Sequence, residues 1–218
     1  MQNALLEYIT SPSSFPATRV VSYNDDFVVI NDLYPKSTIH LLILPRDPTK
    51  YLLHPFEAFA DAAFLASVRS KLEEVVPLAA SELRRKYSKF SASDAARNTA
   101  LDAEPAPDEL PRGRDWKAEI ITGVHAHPSM THLHIHIISR DRVSECMRHK
   151  KHYNSFATPF LVPMDAFPLA EDDVRRHPGK EGFLDSSLKC WRCEKDFGRK
   201  FKELKAHLDE ELETWKRL

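Results

Sequence analysis

The sequence predicts an α+β fold, an antiparallel sheet with helices packed on it, followed by a smaller C-terminal module. Three observations carry that expectation. Short apolar runs bounded by turn residues recur in the first 45 positions, the period lengthens to that of a helix over residues 56–90, and a C-x-x-C pair stands near the end of the chain.

Residues 3–9 have the composition of a short helix, ended by the Ser/Pro cluster at 11–16. Its Leu5, Leu6 and Tyr8 are expected to pack inward. Residues 19–23 and 27–30 read as strands split by Asn24, Asp25 and Asp26, and residues 39–44 as a third strand between Pro35 and Pro45. Close connections between three strands favour an antiparallel meander. Phe56, Phe59, Ala63 and Phe64, then Val68, Leu72, Val75 and Val76, recur at helical spacing, and Pro77 is expected to kink or split that helix. Residues 91–115 are polar, Ala-rich and Pro-bearing, and read as a flexible surface insertion with little to bury. Residues 116–124, 133–139 and 156–162 read as further strands. Residues 1–170 are thus expected to form the main domain, 171–182 a linker and 183–218 the second module.

With 218 residues, 42% of them hydrophobic, the chain can bury one ordinary core plus a small appendage. A net charge of −1 does not advertise nucleic-acid binding, so any such surface must be a local patch. Three cysteines do not make a disulfide scaffold, and the lone Cys146 reads as an ordinary thiol. No stretch reaches the ~20 apolar residues of a membrane span, and the N-terminus lacks a secretory signal, so no membrane partner is expected.

Five of the eleven histidines fall between His125 and His136. On a strand, His132, His134 and His136 would share one face while Leu133, Ile135 and Ile137 enter the core. Such a face has three readings: a metal site, a solvated polar edge, or nucleophilic catalysis on phosphorus. In the last, a neutral imidazole attacks a phosphate while neighbours fix its tautomer and protonate the leaving oxygen. Ser129 supplies a nearby hydroxyl.

The run HLHIHII from His132 resembles the motif of the histidine-triad nucleotide hydrolases and transferases. Phe27 to Asp32, Pro35, and His40 to Pro45 resemble the nucleotide-binding half of the same fold. Within that superfamily the chain is similar to the aprataxin family of DNA 5′-adenylate hydrolases. His125-Ala126-His127-Pro128-Ser129-Met130 precedes the triad, and the segment from Arg148 to Phe156 follows it, as in that family. The match is to the shorter fungal type, without the extra N-terminal domain of animal members. The resemblance implies a histidine-triad fold and removal of AMP from 5′-adenylated DNA ends left by abortive ligation. It makes His134 the nucleophile, His136 its orienting partner, His125 the proton donor to the leaving phosphate, and Ser129 a contact to the scissile phosphate. Asp32 would bind the ribose hydroxyls, and Leu33 and Tyr34 would line the base pocket. Lys36, His40, His132, Arg148, Lys150, His152 and Ser155 complete the implied substrate contacts. Arg148 stands where the family usually has lysine, which exchanges a point charge for a forked guanidinium. Read without the resemblance, Asp32 begins a turn and residues 148–152 form a solvated basic run. Nuclear residence and a monomeric state are further expectations from the resemblance, and no catalytic metal is expected.

Near the C-terminus, thirteen residues separate Cys193 from His207, and Cys190 and Cys193 form the C-x-x-C pair. This resembles a ββα zinc finger with one structural Zn²⁺. No second histidine follows. Glu211, one helical turn beyond His207, is the expected fourth ligand, with Glu210 as the alternative. Arg192, Arg199, Lys200, Lys202 and Lys205 form a candidate footprint for the DNA backbone, or a solvated helix face. Two competing functions remain: a histidine-triad hydrolase of small nucleotides, and a non-catalytic zinc-finger module that binds DNA.

Overall fold

The computed structural model describes residues 4–105 and 107–218. Asn3, the expected start of the first helix, lies outside them, as does Ala106 in the expected insertion. Six antiparallel strands form one sheet: β1 (Val20–Tyr23), β2 (Phe27–Asn31), β3 (His40–Pro45), β4 (Ile120–His125), β5 (Ile135–Ser139) and β6 (Leu161–Pro163). Their spatial order is β1-β2-β3-β5-β4-β6, so the expected meander occupies one edge. The apolar runs of β2 and β3 are buried on both faces. On one face Val29, Leu41, Ile43, Ile135 and Ile137 meet α3 (Ala62–Tyr87). On the other, Val28, Ile30, Leu42 and Leu44 are covered by Leu5 and Ile9 around α1 (Leu6–Thr10), with Tyr8 packed alongside. Leu6 is exposed instead.

A short turn of helix, α2 (Pro55–Ala58), precedes α3. Asp61 caps α3, its carboxylate accepting from Ala63 N (2.9 Å) and Phe64 N (3.1 Å). Of the kink or split expected at Pro77, the split does not occur: the helix runs through it unbroken. Leu72 and Val75 before it, and Ala79, Ala80 and Leu83 after it, are all buried on the same sheet. Their packing outweighs the ~3 kcal/mol that an internal proline costs.

Three further expectations are corrected. Residues 91–115 do bury something: α4 (Ala92–Leu101) begins at the Ser91 cap and sinks Asp94 to 3% exposure. Asp94 accepts from Trp116 Nε1 (2.8 Å) and Arg114 N (3.0 Å). Asp94→Ala strands both donors and is expected to cost about 2–3 kcal/mol, read as a lower urea midpoint; an unchanged midpoint would show the contacts to be idle. Residues 156–162 are not one strand. Helix α5 (Lys150–Ala157) takes Phe156 before the chain enters β6. The strand expected over 133–139 begins only at Ile135, so Leu133 is buried but lies ahead of the ladder.

Past β6 the chain forms α6 (Pro178–Glu181) and ends in α7 (Phe201–Trp215). The C-terminal module is not a separate globule. Leu188, Cys190, Leu204 and Leu208 share a core with Met147 and with Tyr153 of α5. Tyr153 Oη donates to Lys189 O (2.7 Å) and accepts from Trp191 N (3.0 Å). At the far end Trp215 is buried in the main core, its indole donating to Glu119 (2.8 Å). Arg114 lies between the rings of Trp116 and Trp215, 4.5 and 4.6 Å from their centroids.

Candidate active site

Strand register assembles the histidines. On β5, His136 and Ile138 face away from α3, and β3 pairs Leu42 with His136 and His40 with Ile138. His40 is therefore a diagonal neighbour of His136. On the other side β4 pairs Gly123 with His136, and His125 lies two residues on, on the same face. Gly123 has a steric reason: a Cβ there would stand 2.6 Å from Val162 O of β6. The rings of His125 and His136 approach to 4.4 Å and those of His134 and His136 to 4.9 Å, centroid to centroid.

Hydrogen bonds assign the tautomers. The amide of Lys36 donates to His40 Nδ1 (3.1 Å), so the His40 proton sits on Nε2. That Nε2 donates to His136 Nδ1 (2.9 Å), which places the His136 proton on Nε2. His136 Nε2 is buried with no protein partner and serves as a donor at the cavity wall. His134 runs the opposite way. Its Nδ1 donates to the carbonyl of His132 (2.7 Å), which leaves the lone pair on Nε2. One ring thus presents a nucleophile and its neighbour presents a hydrogen-bond donor.

Burial keeps these rings neutral. It lowers the pKa of His134, opposed by the His132 carbonyl, and lowers that of His136 strongly, aided by the neighbouring histidines. Burial likewise takes His125 down to about 3 and His40 to about 4, the latter against the pull of Asp32. His40 has consequences for stability. Above pH 6.5 it is neutral in both the folded and unfolded chain. As pH falls from 6.5 towards 4 only the unfolded chain takes up the proton. His40 alone is therefore expected to remove about 1 kcal/mol per pH unit across that window. Denaturant melts between pH 7 and 4 measure it, and His40→Phe should flatten the slope; equal slopes would contradict the burial argument.

A cavity of about 1150 Å³ opens on the triad. Of the expected residues it is lined by Asp32, Tyr34, Lys36 and His40, by His125, Ser129, His134 and His136, and by His152 and Ser155. Asp32 does begin a turn, its Oδ1 accepting from Tyr34 N (2.7 Å), while Oδ2 lies 3.6 Å from His40 Nδ1. The turn and the site are one feature.

Four expected residues are not on its walls. His132 precedes β5, so strand alternation does not hold it; it packs against Tyr51 and lines a separate recess of about 250 Å³. Leu33 is 55% exposed beside the cavity. Arg148 is exposed, and its amide donates to His152 Nδ1 (3.2 Å). Lys150 donates to the carbonyl of Asp185 (2.9 Å), which gives it an anchoring role. Residues missed by the sequence reading take their place: Lys151 and Phe156 of α5, Phe160, His127, and His177 and Lys180 near α6. Phe156 packs edge-on to His136 (5.1 Å) and against His125 (4.8 Å), drying the triad. The signal for α5 was present, since His152, Ser155 and Phe156 follow i, i+3, i+4 spacing.

At the second site one donor atom each from Cys190, Cys193, His207 and Glu211 lies within 4.8 Å of the others. Cys193 Sγ is 3.2 Å from His207 Nε2, which is 3.3 Å from Glu211 Oε1. Tetrahedral zinc with bonds of about 2.0–2.3 Å needs donor edges near 3.5 Å, so this S₂NO set fits the ion. Glu211, not Glu210, belongs to the cluster. Arg192 pairs with Glu211 Oε2 (2.6 Å) and steadies the carboxylate, so it is not a free phosphate contact. The expected ββ portion is reduced to one bridge, Lys189 with Asp196, before α7. Gly198 (φ 59°) takes the left-handed turn beyond it.

Comparison with known proteins gives a consistent result. The HIT domain family matches residues 16–143, and the C2HE / C2H2 / C2HC zinc-binding finger family matches residues 157–214. An aprataxin-like protein of Schizosaccharomyces pombe is 36% identical over 95% of this chain and 80% of its own length. An aprataxin-like protein of Saccharomyces cerevisiae is 32% identical over 97% of this chain and 95% of its own. A crystal structure of the aprataxin ortholog Hnt3 in complex with DNA superposes with TM-score 0.77 at 33% identity, covering 98% of this chain and 96% of that one. A structure of Hnt3 with DNA and guanosine gives TM-score 0.75 at 33% identity, over 97% and 95% of the two chains.

Proposed function

Because the chain belongs to the histidine-triad family and, within it, to the aprataxin-like proteins, we propose that it hydrolyses 5′-adenylated DNA ends, releasing AMP and restoring the 5′-phosphate. The observation that carries this reading is the pair of opposite tautomers, a free lone pair on His134 Nε2 beside a free N–H on His136 Nε2.

His134 Nε2 attacks the AMP phosphorus. An N–P bond forms, the bridging P–O bond breaks, and the electron pair leaves on the DNA 5′-phosphate. His136 Nε2–H and the Lys36 ammonium offset charge on the phosphoryl oxygens. His125, whose Nε2 has no protein partner, gives the departing oxygen its proton. The incoming phosphates supply the negative charge that favours its protonated form. Water then attacks the same phosphorus, His125 takes back a proton, and the N–P bond breaks to free AMP. In this reading Asp32 binds the ribose hydroxyls and Ser129 the phosphate, and both line the cavity. Cys190, Cys193, His207 and Glu211 would hold a structural zinc ion, which ties the finger to α5 and supplies no reacting atom. We place the protein in the nucleus, acting as a monomer on nicks and ends of any sequence.

The test is a 5′-adenylated nicked duplex, compared with AMP-lysine and a dinucleoside polyphosphate, with and without chelator. The duplex is expected to be turned over with the highest kcat/KM. A preference for the small nucleotides would make this a general histidine-triad hydrolase, and absence of any AMP release would leave a DNA-binding module.

A further inference from the structure

We propose that the segment between the catalytic sheet and the finger is a second half of the substrate site, in which Lys180, with Lys151 of α5, binds a phosphate farther along the DNA strand and so selects adenylated strands over free nucleotides. The inference rests on the deadenylation reading and extends it to what sets the substrate class.

Space comes first. Sites for one small ligand run from about 300 to 1000 Å³, and the cavity here, at about 1150 Å³, has room beyond one nucleotide. Part of its wall comes from the segment His177 to Asp185, including His177 and Lys180.

The segment is pinned at both ends. Arg176 donates to Leu169 O and Ala170 O (2.7 Å each) ahead of it. Behind it, Lys150 donates to Asp185 O (2.9 Å), and Asn154 Nδ2 donates to Leu184 O (3.1 Å) and Ser186 O (2.9 Å). Yet α6 buries none of its residues, and a Cβ at Gly179 or Gly182 would meet nothing within 4 Å. Core packing does not explain a segment so held. A surface to be covered by a ligand does.

Charge names the ligand class. Among the described residues Lys151 and Lys180 have no acidic partner, and unlike Lys202 and Lys205, which also lack one, they stand on the cavity wall. Lys36, Lys151 and Lys180 outnumber Asp32 and Asp185 on the cavity walls by three to two. Lys36 serves the adenylate end. The remaining cations suit another anionic group on the same substrate, which a DNA strand has and free AMP conjugates lack.

The experiment uses the full chain, a 5′-adenylated nicked duplex and AMP-lysine. Lys180→Ala and Lys151→Ala are each expected to raise KM for the duplex roughly fivefold to tenfold at low salt and to lower the log–log salt slope by about one. The efficiency ratio of AMP-lysine to duplex should rise by the same factor, and Lys180→Arg should restore KM. Variants with wild-type KM and salt slope on a duplex that the wild type deadenylates would overturn this inference alone. A wild type that releases no AMP from the duplex would overturn the function itself, so the two failures are distinct.

Discussion

His134→Ala is expected to lower deadenylation by about 10⁴-fold or more, because removing a covalent nucleophile abolishes the pathway itself. No other ring can replace it. His136 Nδ1 accepts from His40, so its Nε2 carries a proton and not a lone pair. His125 lies on β4, close to both His134 and His136, and in the proposed mechanism its proton is needed by the leaving group. Loss of fold is separable from loss of chemistry. His134→Asn keeps an N–H for the His132 carbonyl that His134 Nδ1 now satisfies, and should be equally inactive while melting like the wild type. Activity within tenfold of wild type in either variant would remove the nucleophile from the account.

Removing zinc is expected to have the largest effect on stability. The metal site is continuous with the body of the protein. Cys190 is buried against Tyr153 and Met147, and α7 runs from the His207–Glu211 turn to Trp215 in the main core. Structural zinc supplies apparent binding energies on the order of 10 kcal/mol. Even partial loss should lower Tm by roughly 10 °C, given about 2–4 °C per kcal/mol for a chain this size. Chelation followed by calorimetry measures this, and Cys193→Ser, at an exposed ligand, should act alike without opening the core. Small-substrate turnover should fall as well, because α5 carries His152, Ser155 and Phe156 into the active site while resting on the finger. A chelated protein with unchanged Tm and no bound metal by elemental analysis would contradict the assignment.

The strand of His136 was legible because its alternation is strict, with Ile135 and Ile137 on one face and His136 on the other, whereas β3 was legible as an apolar run between Pro35 and Pro45 and not from alternation. His132 was misplaced because alternation was extended three residues beyond the ladder, where the chain is fixed instead by the His134 ring on the His132 carbonyl and by Leu133 N on the Tyr51 carbonyl. Asp94 looked like one more solvent-facing acid, since its partners Trp116 and Arg114 lie twenty or more residues away and no local pattern joins them. Residues 177–182 looked like a linker for the same reason, since the α5 contacts that hold the adjoining residues 184–186 are tertiary. Zinc-ligand spacing was readable, but not that Arg192 would turn from a phosphate contact into the brace of Glu211.

The claim on which the account turns is a transient bond between phosphorus and His134 Nε2. Mixing the protein with a 5′-adenylated nicked duplex, quenching in base within the first turnover and mapping the digest by mass spectrometry tests it directly. The account predicts one AMP group on the peptide that contains His134, absent from His134→Asn. Rapid AMP release with no adduct at any time, or an adduct on a different histidine, would contradict it.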